Sequence, residues 1–211
     1  MAHYDPSIDV AFICTGNICR SPMAEVLLRA RLEAVAPDVV VGSAGLLFDG
    51  RPAERNAVKA VARLGLDLSD HAAQTISVER LDGASLIIGM ERRHVREVAD
   101  LDWDLFARSF TLPELVEAAR QVGPRDPEVP LGAWVARVAA ARSVDDYVAH
   151  VTTQEIADPM GGSARAFRAC AQEIDGLLAE LVEHAWPAPD PRGPVVAPAT
   201  SGGIHADRDR R

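Results

Sequence analysis

A short apolar strand that leads directly into a turn and a helix is the feature that most constrains this fold. Residues 10–13 (VAFI) are consecutive apolar residues, typical of a strand buried on both faces of a parallel sheet. The turn CTGN follows, and then Ser21 and Pro22, which are residue types that begin helices. Because parallel strands are joined by crossovers, usually helices, this stretch predicts the start of a β-α-β unit.

The same alternation continues along the chain. Apolar runs predict further strands at residues 39–41, 86–88 and 105–110. Helical spacing predicts helices at residues 53–64, 91–98, 112–121, 131–150 (one or two helices) and 163–185. We therefore expect an α/β fold of three layers, a central parallel sheet of about four strands with helices on both faces. Ligands of such sheets bind beyond the carboxyl ends of the strands, and the turn after the first strand lies there.

The predicted elements form one domain over residues 8–186. Residues 120–150 are a candidate helical insertion within it, beginning with the loop GPRDPEVP, which is rich in helix breakers. Residues 187–211 are rich in proline, glycine, serine and charge, a composition that cannot bury a core. We expect this tail to be disordered.

Charge and cysteine content narrow the classes of partner and compartment. The formal net charge of -9 argues against a nucleic-acid coat protein, which needs a basic surface, but permits one small anion site. The first residues lack a signal-peptide pattern, and no apolar run is long enough to span a membrane. Three cysteines are too few for a disulfide scaffold, so we expect a reducing, cytoplasmic compartment.

The turn after the first strand has the composition of an anion-binding loop. Backbone N–H groups of a tight loop and of a helix start can converge on one anion, and Arg20 can add a planar fork of donors. Cys14 would lie at the floor of this cradle, where the same groups stabilise a thiolate and Ser21 can donate to the sulfur. Gly16 would allow a backbone conformation that a side chain blocks. The predicted phosphate-binding loop comprises Thr15, Gly16, Asn17, Ile18, Cys19 and Ser21.

Other interpretations of the two cysteines are less specific. A buried cysteine is often a small packing residue. Cys14 and Cys19 are badly spaced for a zinc knuckle, and no second pair of ligands follows at that spacing, so we predict no metal.

The string VAFICTGNICRSPMAE resembles the signature of the low-molecular-weight protein tyrosine phosphatases. The resemblance continues through residues 43–45 (SAG) and GLDLSDHAA, and resumes at DPMGGS, residues 158–163. It implies a metal-independent cysteine phosphatase that needs no cofactor and acts on phosphotyrosine in proteins or on small aryl phosphates. It gives no indication of oligomeric state.

Such a reaction requires a general acid for the leaving oxygen. Four Asp-Pro pairs exist, led by Asp5, Asp126, Asp158 and Asp190, and spacing alone does not choose among them. The resemblance places the acid in an Asp-Pro pair just before the last helix, which is Asp158, with Asp126 as the alternative. It also implies that Asn17, Ser43 and His71 brace the loop.

The chain departs from the family pattern at several positions. Met160 follows the Asp-Pro pair where an aromatic residue is common, and Gln74 occupies a position where arginine is usual. Leu46, Leu47 and Phe48 could line the mouth of the site instead. Cys19 is either a packing residue or the partner of Cys14 in a reversible disulfide.

Two further functions stay open. Arsenate reductases share this loop, and Thr15 resembles theirs, but the thioredoxin-linked reductases need further downstream cysteines. Here only Cys170 remains, on the apolar stripe of a helix, where we expect it to be part of the core. A non-catalytic phosphate-binding module is the other alternative.

Overall fold

The computed structural model describes residues 8–142 and 155–188. Its sheet has four parallel strands in the order β2-β1-β3-β4. The strands are β1 (Val10–Cys14), β2 (Val41–Gly45), β3 (Leu86–Gly89) and β4 (Ser109–Thr111). Cys14 pairs with Gly45 and Ile13 with Gly89, so the carboxyl ends of the three neighbouring strands lie at one edge.

Helices cover both faces of the sheet, which confirms the predicted three-layer α/β/α architecture. They are α1 (Arg20–Leu32), α2 (Arg55–Ala62), α3 (Val78–Leu81), α4 (Arg92–Leu101), α5 (Leu112–Val122), α6 (Leu131–Ala140) and α7 (Ala164–Ala185), with a 3-10 helix at Trp103–Arg108.

Alternation along the strands assigns their side chains to two cores. Phe12 and Ile88 belong to the larger core, beneath α1, α2, α5 and α7. Ile13 and Ile87 belong to the smaller core on the other face, which includes residues of α3, α4 and the 3-10 helix. Because successive strand residues point to opposite faces, a buried parallel strand needs an unbroken apolar run, and β1 has one.

Two strands differ from the prediction. The second lies at Val41–Gly45 rather than at 39–41, because backbone pairing with β1 outweighs the low strand propensity of the small residues GSAG. The fourth is only Ser109–Thr111, and the preceding residues form the 3-10 helix. The Asp102 side chain accepts a hydrogen bond from the Asp104 amide and so begins that helix.

Helix α6 lies in the described part of the predicted helical insertion, residues 120–142. It packs against α5 and the 3-10 helix, and the Trp134 indole donates to the Gly123 carbonyl at 3.1 Å. It also lines a cavity with residues 83–85, which lie at the amino end of β3. Since the loop after β1 lies at the opposite edge, α6 does not cover it. Residues 143–150 of the predicted insertion lie outside the described residues, as does the tail from residue 189.

The three tryptophans differ in their burial. Trp134 is fully buried, Trp186 is buried at the carboxyl end of α7, and Trp103 is 70% exposed and stacks on Phe106. Over the described ranges, no helix combines the length and the apolar character needed to cross a membrane.

Candidate active site

The loop after β1 contains a residue in the left-handed backbone region, a conformation that needs support from neighbouring residues. Asn17 has a φ of 48°, the one positive φ of a non-glycine residue in the described ranges. Such a conformation is unfavourable for most L-residues, although asparagine tolerates it best. Gly16 does not have a positive φ; a Cβ there would lie 3.1 Å from the Phe48 ring. At Gly45 a Cβ would lie 2.6 Å from the Asn17 nitrogen, so glycine is needed for close approach.

The Asn17 side chain and carbonyl use their hydrogen-bonding capacity to hold this conformation. Nδ2 donates to the hydroxyls of Ser21 at 2.9 Å and Ser43 at 2.8 Å. Oδ1 accepts from the Gln74 amide at 2.9 Å, and the carbonyl lies 2.6 Å from Nε2 of His71. The structure thus brings together all three residues predicted to brace the loop.

Cys14 ends β1 and is buried beneath the loop. The Ser21 hydroxyl donates to its sulfur at 3.0 Å, as predicted from the sequence. Ser21 does not cap α1, however, because that helix begins one residue earlier, at Arg20, with Cys19 as its N-cap. Within the described ranges, the backbone amides of residues 15–20 donate to no protein acceptor. Buried amides are almost always paired, so this group of donors is suited to an anion.

Arg20 is only 1% exposed, and its guanidinium completes this ring of donors. Nη1 donates to the Glu91 carboxylate and, at 2.9 Å, to the Ile156 carbonyl. Nη2 lies 3.0 Å from Oδ2 of Asp158. A buried arginine needs such partners, and they fix the direction in which its remaining donors point.

Of the two candidate acids, only Asp158 lies at this site. It lines the cavity above Cys14, and its side chain is 40% exposed. Asp126 is in the loop before α6, where neighbouring Arg125 bonds to the carbonyls of His184 and Ala185 at the far end of α7. The geometry therefore distinguishes two Asp-Pro pairs that spacing could not.

A cavity of about 190 Å³ opens above the loop. Its lining includes apolar side chains, namely Ile18, Leu47, Phe48 and Met160. The Cys19 thiol lies 3.0 Å from the Met160 sulfur, and burial, with Cys14 nearby, raises the pKa of Cys19 well above its usual range. A larger cavity of about 660 Å³ lies beside β2, behind the loop, and does not include Cys14.

Three functional candidates, Glu91, Arg93 and His94, were missed by sequence reasoning. All three follow β3, and Glu91 bonds both Arg20 and, at 2.7 Å, Arg93. The signal that could have found them is the polar string ERRH (residues 91–94), which begins three positions after the predicted strand at 86–88. The carboxyl ends of parallel strands share one edge of the sheet, so such residues belong to the ligand site.

Comparison with known proteins agrees with this geometry. A family model described as low molecular weight phosphotyrosine protein phosphatase matches residues 9–130. The chain belongs to this family. The match includes the loop and Glu91 but ends before Asp158, so the position of Asp158 rests on the structure.

Individual members of this phosphatase family resemble the chain to different extents. A probable low molecular weight protein-tyrosine-phosphatase EpsP of Ralstonia solanacearum is 42% identical over 90 residues, which span 42% of this chain and 59% of that protein. A protein-arginine-phosphatase of Bacillus subtilis is 26% identical over 178 residues, 84% of this chain and 96% of that one. The crystal structure of a low molecular weight protein tyrosine phosphatase from T. tengcongensis has a TM-score of 0.63 at 29% identity, covering 84% of this chain and 99% of that one.

The departure from the phosphatase family pattern at Gln74 is compensated by a neighbouring arginine. Gln74 stands where arginine is usual, but its side-chain oxygen accepts a hydrogen bond from Arg80. A guanidinium therefore lies next to this position although it comes from a different residue. No aromatic residue lies next to Asp158 and Pro159 at the position of Met160. The aromatic ring that lines the cavity is that of Phe48, in the loop after β2.

Proposed function

We propose that the protein is a metal-independent phosphatase that hydrolyses aryl phosphate monoesters, including phosphotyrosine in proteins, through a phosphocysteine. The arrangement around Cys14 carries this proposal. Its sulfur accepts a hydrogen bond from Ser21 beneath a ring of unpaired amides and Arg20, and Asp158 lies at the mouth. A nucleophile under an oxyanion site, with an acid opposite, is what a two-step phosphoryl transfer needs.

In the first step the Cys14 thiolate attacks phosphorus and the bond to the ester oxygen breaks. Asp158 gives its proton to that oxygen, which leaves as an alcohol or phenol. Arg20 and the loop amides stabilise the charge on the non-bridging oxygens. Arg20 also pairs with Asp158, so a bound phosphoryl group would share the guanidinium donors with this carboxyl group.

In the second step Asp158, now a carboxylate, takes a proton from water. The hydroxide oxygen bonds to phosphorus, the sulfur–phosphorus bond breaks, and the electron pair returns to Cys14 as thiolate. Inorganic phosphate leaves and the acid is protonated again, so the cycle balances without a metal or cofactor.

The lining of the cavity supports an aryl leaving group. Ile18, Leu47, Phe48 and Met160 offer apolar surface to a ring. Among the described residues that line the cavity, Asp158 is the only one with a carboxylate. A guanidinium leaving group, as the name of the Bacillus subtilis relative suggests for that protein, would find little to pair with beyond the acid itself.

The buried cysteines weigh against arsenate reduction. A relay thiol must become a thiolate to attack a disulfide, but burial raises the pKa of Cys170 to about 12. The pKa of Cys19 is likewise raised by burial. All three cysteines are free, which fits the reducing cytoplasm that we propose as the compartment.

Hydrolysis of p-nitrophenyl phosphate in EDTA and a reducing buffer tests the proposal. We expect turnover of p-nitrophenyl phosphate by the wild type and none by Cys14→Ser. On phenyl phosphate, which has a poorer leaving group, we expect Asp158→Asn to lower kcat about 10²- to 10⁴-fold. Asp126→Asn, the matched control, should retain wild-type activity. Loss of activity with EDTA, or wild-type kcat in Asp158→Asn, would contradict the mechanism.

Phosphotyrosine and phosphoarginine peptides of the same sequence then identify the leaving group. Faster hydrolysis of the phosphotyrosine peptide is expected. Binding of inorganic phosphate with no turnover of any ester would favour the non-catalytic module.

A further inference from the structure

The hydroxyl of Thr15 has an unusual set of hydrogen-bond partners. The Glu91 amide donates to Nδ1 of His94 at 3.0 Å, so this nitrogen is an acceptor. Burial lowers the pKa of His94 to about 3, which keeps the imidazole neutral with its proton on Nε2. Nε2 lies 3.0 Å from Oγ1 of Thr15 and therefore donates to it.

A second donor reaches the same oxygen. Nη2 of Arg93 donates to Oγ1 of Thr15. A threonine hydroxyl accepts at most two hydrogen bonds and donates one, so both acceptor positions are filled. Among residues 8–142 and 155–188, Oγ1 has no further partner that could accept its proton. Since Thr15 lines the cavity together with Cys14 and Asp158, an anion bound in the cavity can accept that proton.

We propose that the Thr15 hydroxyl donates a hydrogen bond to the phosphoryl group bound above Cys14. The inference rests on the proposed function and adds a side-chain donor to the amides and Arg20. Two incoming hydrogen bonds, one from a cation, polarise the hydroxyl and strengthen it as a donor. Thr15 is then a catalytic residue, and Arg93 and His94 are positioning residues that act through it.

Replacement of Thr15 by valine removes the hydroxyl but keeps the shape of the side chain. We expect kcat/KM for p-nitrophenyl phosphate to fall about 10- to 100-fold, the range for a hydrogen bond to a charged group. The inhibition constant of inorganic phosphate should rise by a comparable factor. Thr15→Ser, which keeps a hydroxyl, should recover most of the loss. A Thr15→Val enzyme with wild-type values of both constants would overturn the proposal.

Alkylation of Cys14 by iodoacetamide separates a direct contact from a structural effect. The rate without phosphate reports on the thiolate and the loop, and protection by inorganic phosphate reports on oxyanion binding. In Thr15→Val we expect the wild-type alkylation rate but about 10- to 100-fold more phosphate for equal protection. An altered alkylation rate would mean that the loop is disturbed and would overturn the direct contact.

Hydrolysis and phosphate protection together distinguish a failure of this inference from a failure of the proposed function. If the wild type hydrolysed no ester, the phosphatase proposal would fail, but phosphate protection of Cys14 would still test Thr15. If Cys14→Ser were inactive and Thr15→Val fully active, only the present inference would fail.

A double-mutant cycle tests the role of Arg93. Arg93→Met should reduce kcat/KM several-fold in the wild-type background and cause no further loss in Thr15→Val, because its effect passes through the hydroxyl. Arg93→Lys should restore part of the activity. Additive losses would show that Arg93 acts on the substrate independently of Thr15.

Discussion

The Glu91 carboxylate connects the two arginines nearest the loop. It accepts hydrogen bonds from buried Arg20 and from half-exposed Arg93. Partial burial raises the pKa of this carboxyl, but the hydrogen bonds from Arg93 and Arg20 outweigh burial and leave it below the usual value. Glu91 therefore stays ionised under mildly acidic conditions, and Arg20 keeps its partner there.

His94 makes the folding stability depend on pH. Its pKa falls from 6.5 to about 3 on folding because of burial, so between these values the unfolded chain binds more protons than the native one. The free energy of unfolding should therefore rise with pH through this window, by at most about 1.4 kcal/mol per pH unit, and the contribution is complete above pH 6.5.

Urea denaturation of the wild type and of His94→Gln across this window measures the effect. The variant should show a flatter dependence of unfolding free energy on pH. His184→Gln, which removes a histidine at the far end of α7, is the matched control. Parallel pH profiles for wild type and His94→Gln would contradict the prediction.

Local geometry predicts contacts between residues that are close together in the sequence. For contacts across the sheet, the resemblance implied the roles of Ser43, His71 and Asp158, but the contact of Thr15 with His94 was not predicted. Cys14, Ser21 and Arg20 lie within one turn and its helix, so local geometry places them. The bond from Thr15 to His94 spans 79 positions, and it exists because β1 and β3 are neighbours in register. Periodicity predicts that both strands exist but not which strands are adjacent.

At the scale of elements, the loop that carries Asp158 (residues 155–163, the acid loop) is hydrogen-bonded to the residues that follow β3. The Ile156 amide donates to the Met90 carbonyl at 2.8 Å, and the Glu155 carboxylate accepts from the Arg92 amide at 2.9 Å. On its other side the loop turns into α7, which Ser163 caps. Both ends of the acid loop are therefore held by ordered elements.

The turn between Asp158 and α7 leaves no room for a side chain at Gly162. A Cβ there would lie 2.9 Å from the Pro159 carbonyl oxygen. Gly162→Ala should therefore shift the acid loop and lower kcat about tenfold or more, with little change in phosphate affinity because the cradle is untouched. Steady-state kinetics and phosphate inhibition measure the two effects, and an unchanged kcat would contradict the argument.

Gly176, inside the helix that follows this turn, offers a control glycine. It lies in the middle of α7, and an added Cβ would meet nothing within 4 Å. Gly176→Ala should leave kcat unchanged and raise the free energy of unfolding by about 0.5–1 kcal/mol, because alanine loses less backbone entropy in a helix. Thermal or urea unfolding measures this gain.

The elements differ in how well their sequence specifies them. The apolar stripe of α7 places that helix within one residue, at 164–185 against the predicted 163–185. The strand β2 was misplaced because GSAG has no β-branched side chain, and pairing with β1 makes it a strand. Tertiary pairing overrides local propensity most easily where the residues are small.

At the scale of the whole molecule, the site joins segments that are distant in the chain. The β1–α1 loop, the start of α4 and the acid loop meet at Arg20. An oxyanion bound only by the native protein stabilises it by mass action, about 2.7 kcal/mol at 100 times the dissociation constant.

Thermal unfolding with increasing phosphate measures this linkage. Chloride at equal ionic strength is the control, and a shift that follows ionic strength alone would argue against a specific site.

The positions of the tryptophans decide how ligand binding can be observed. None of the three lines the cavity above Cys14, and Trp186 ends a helix of 22 residues, about 33 Å long, that begins beside the acid loop. Intrinsic fluorescence should therefore report unfolding through Trp134 and Trp186 but remain silent when phosphate binds. An indole introduced by Met160→Trp would lie in the cavity lining, and its emission would give an optical signal for binding.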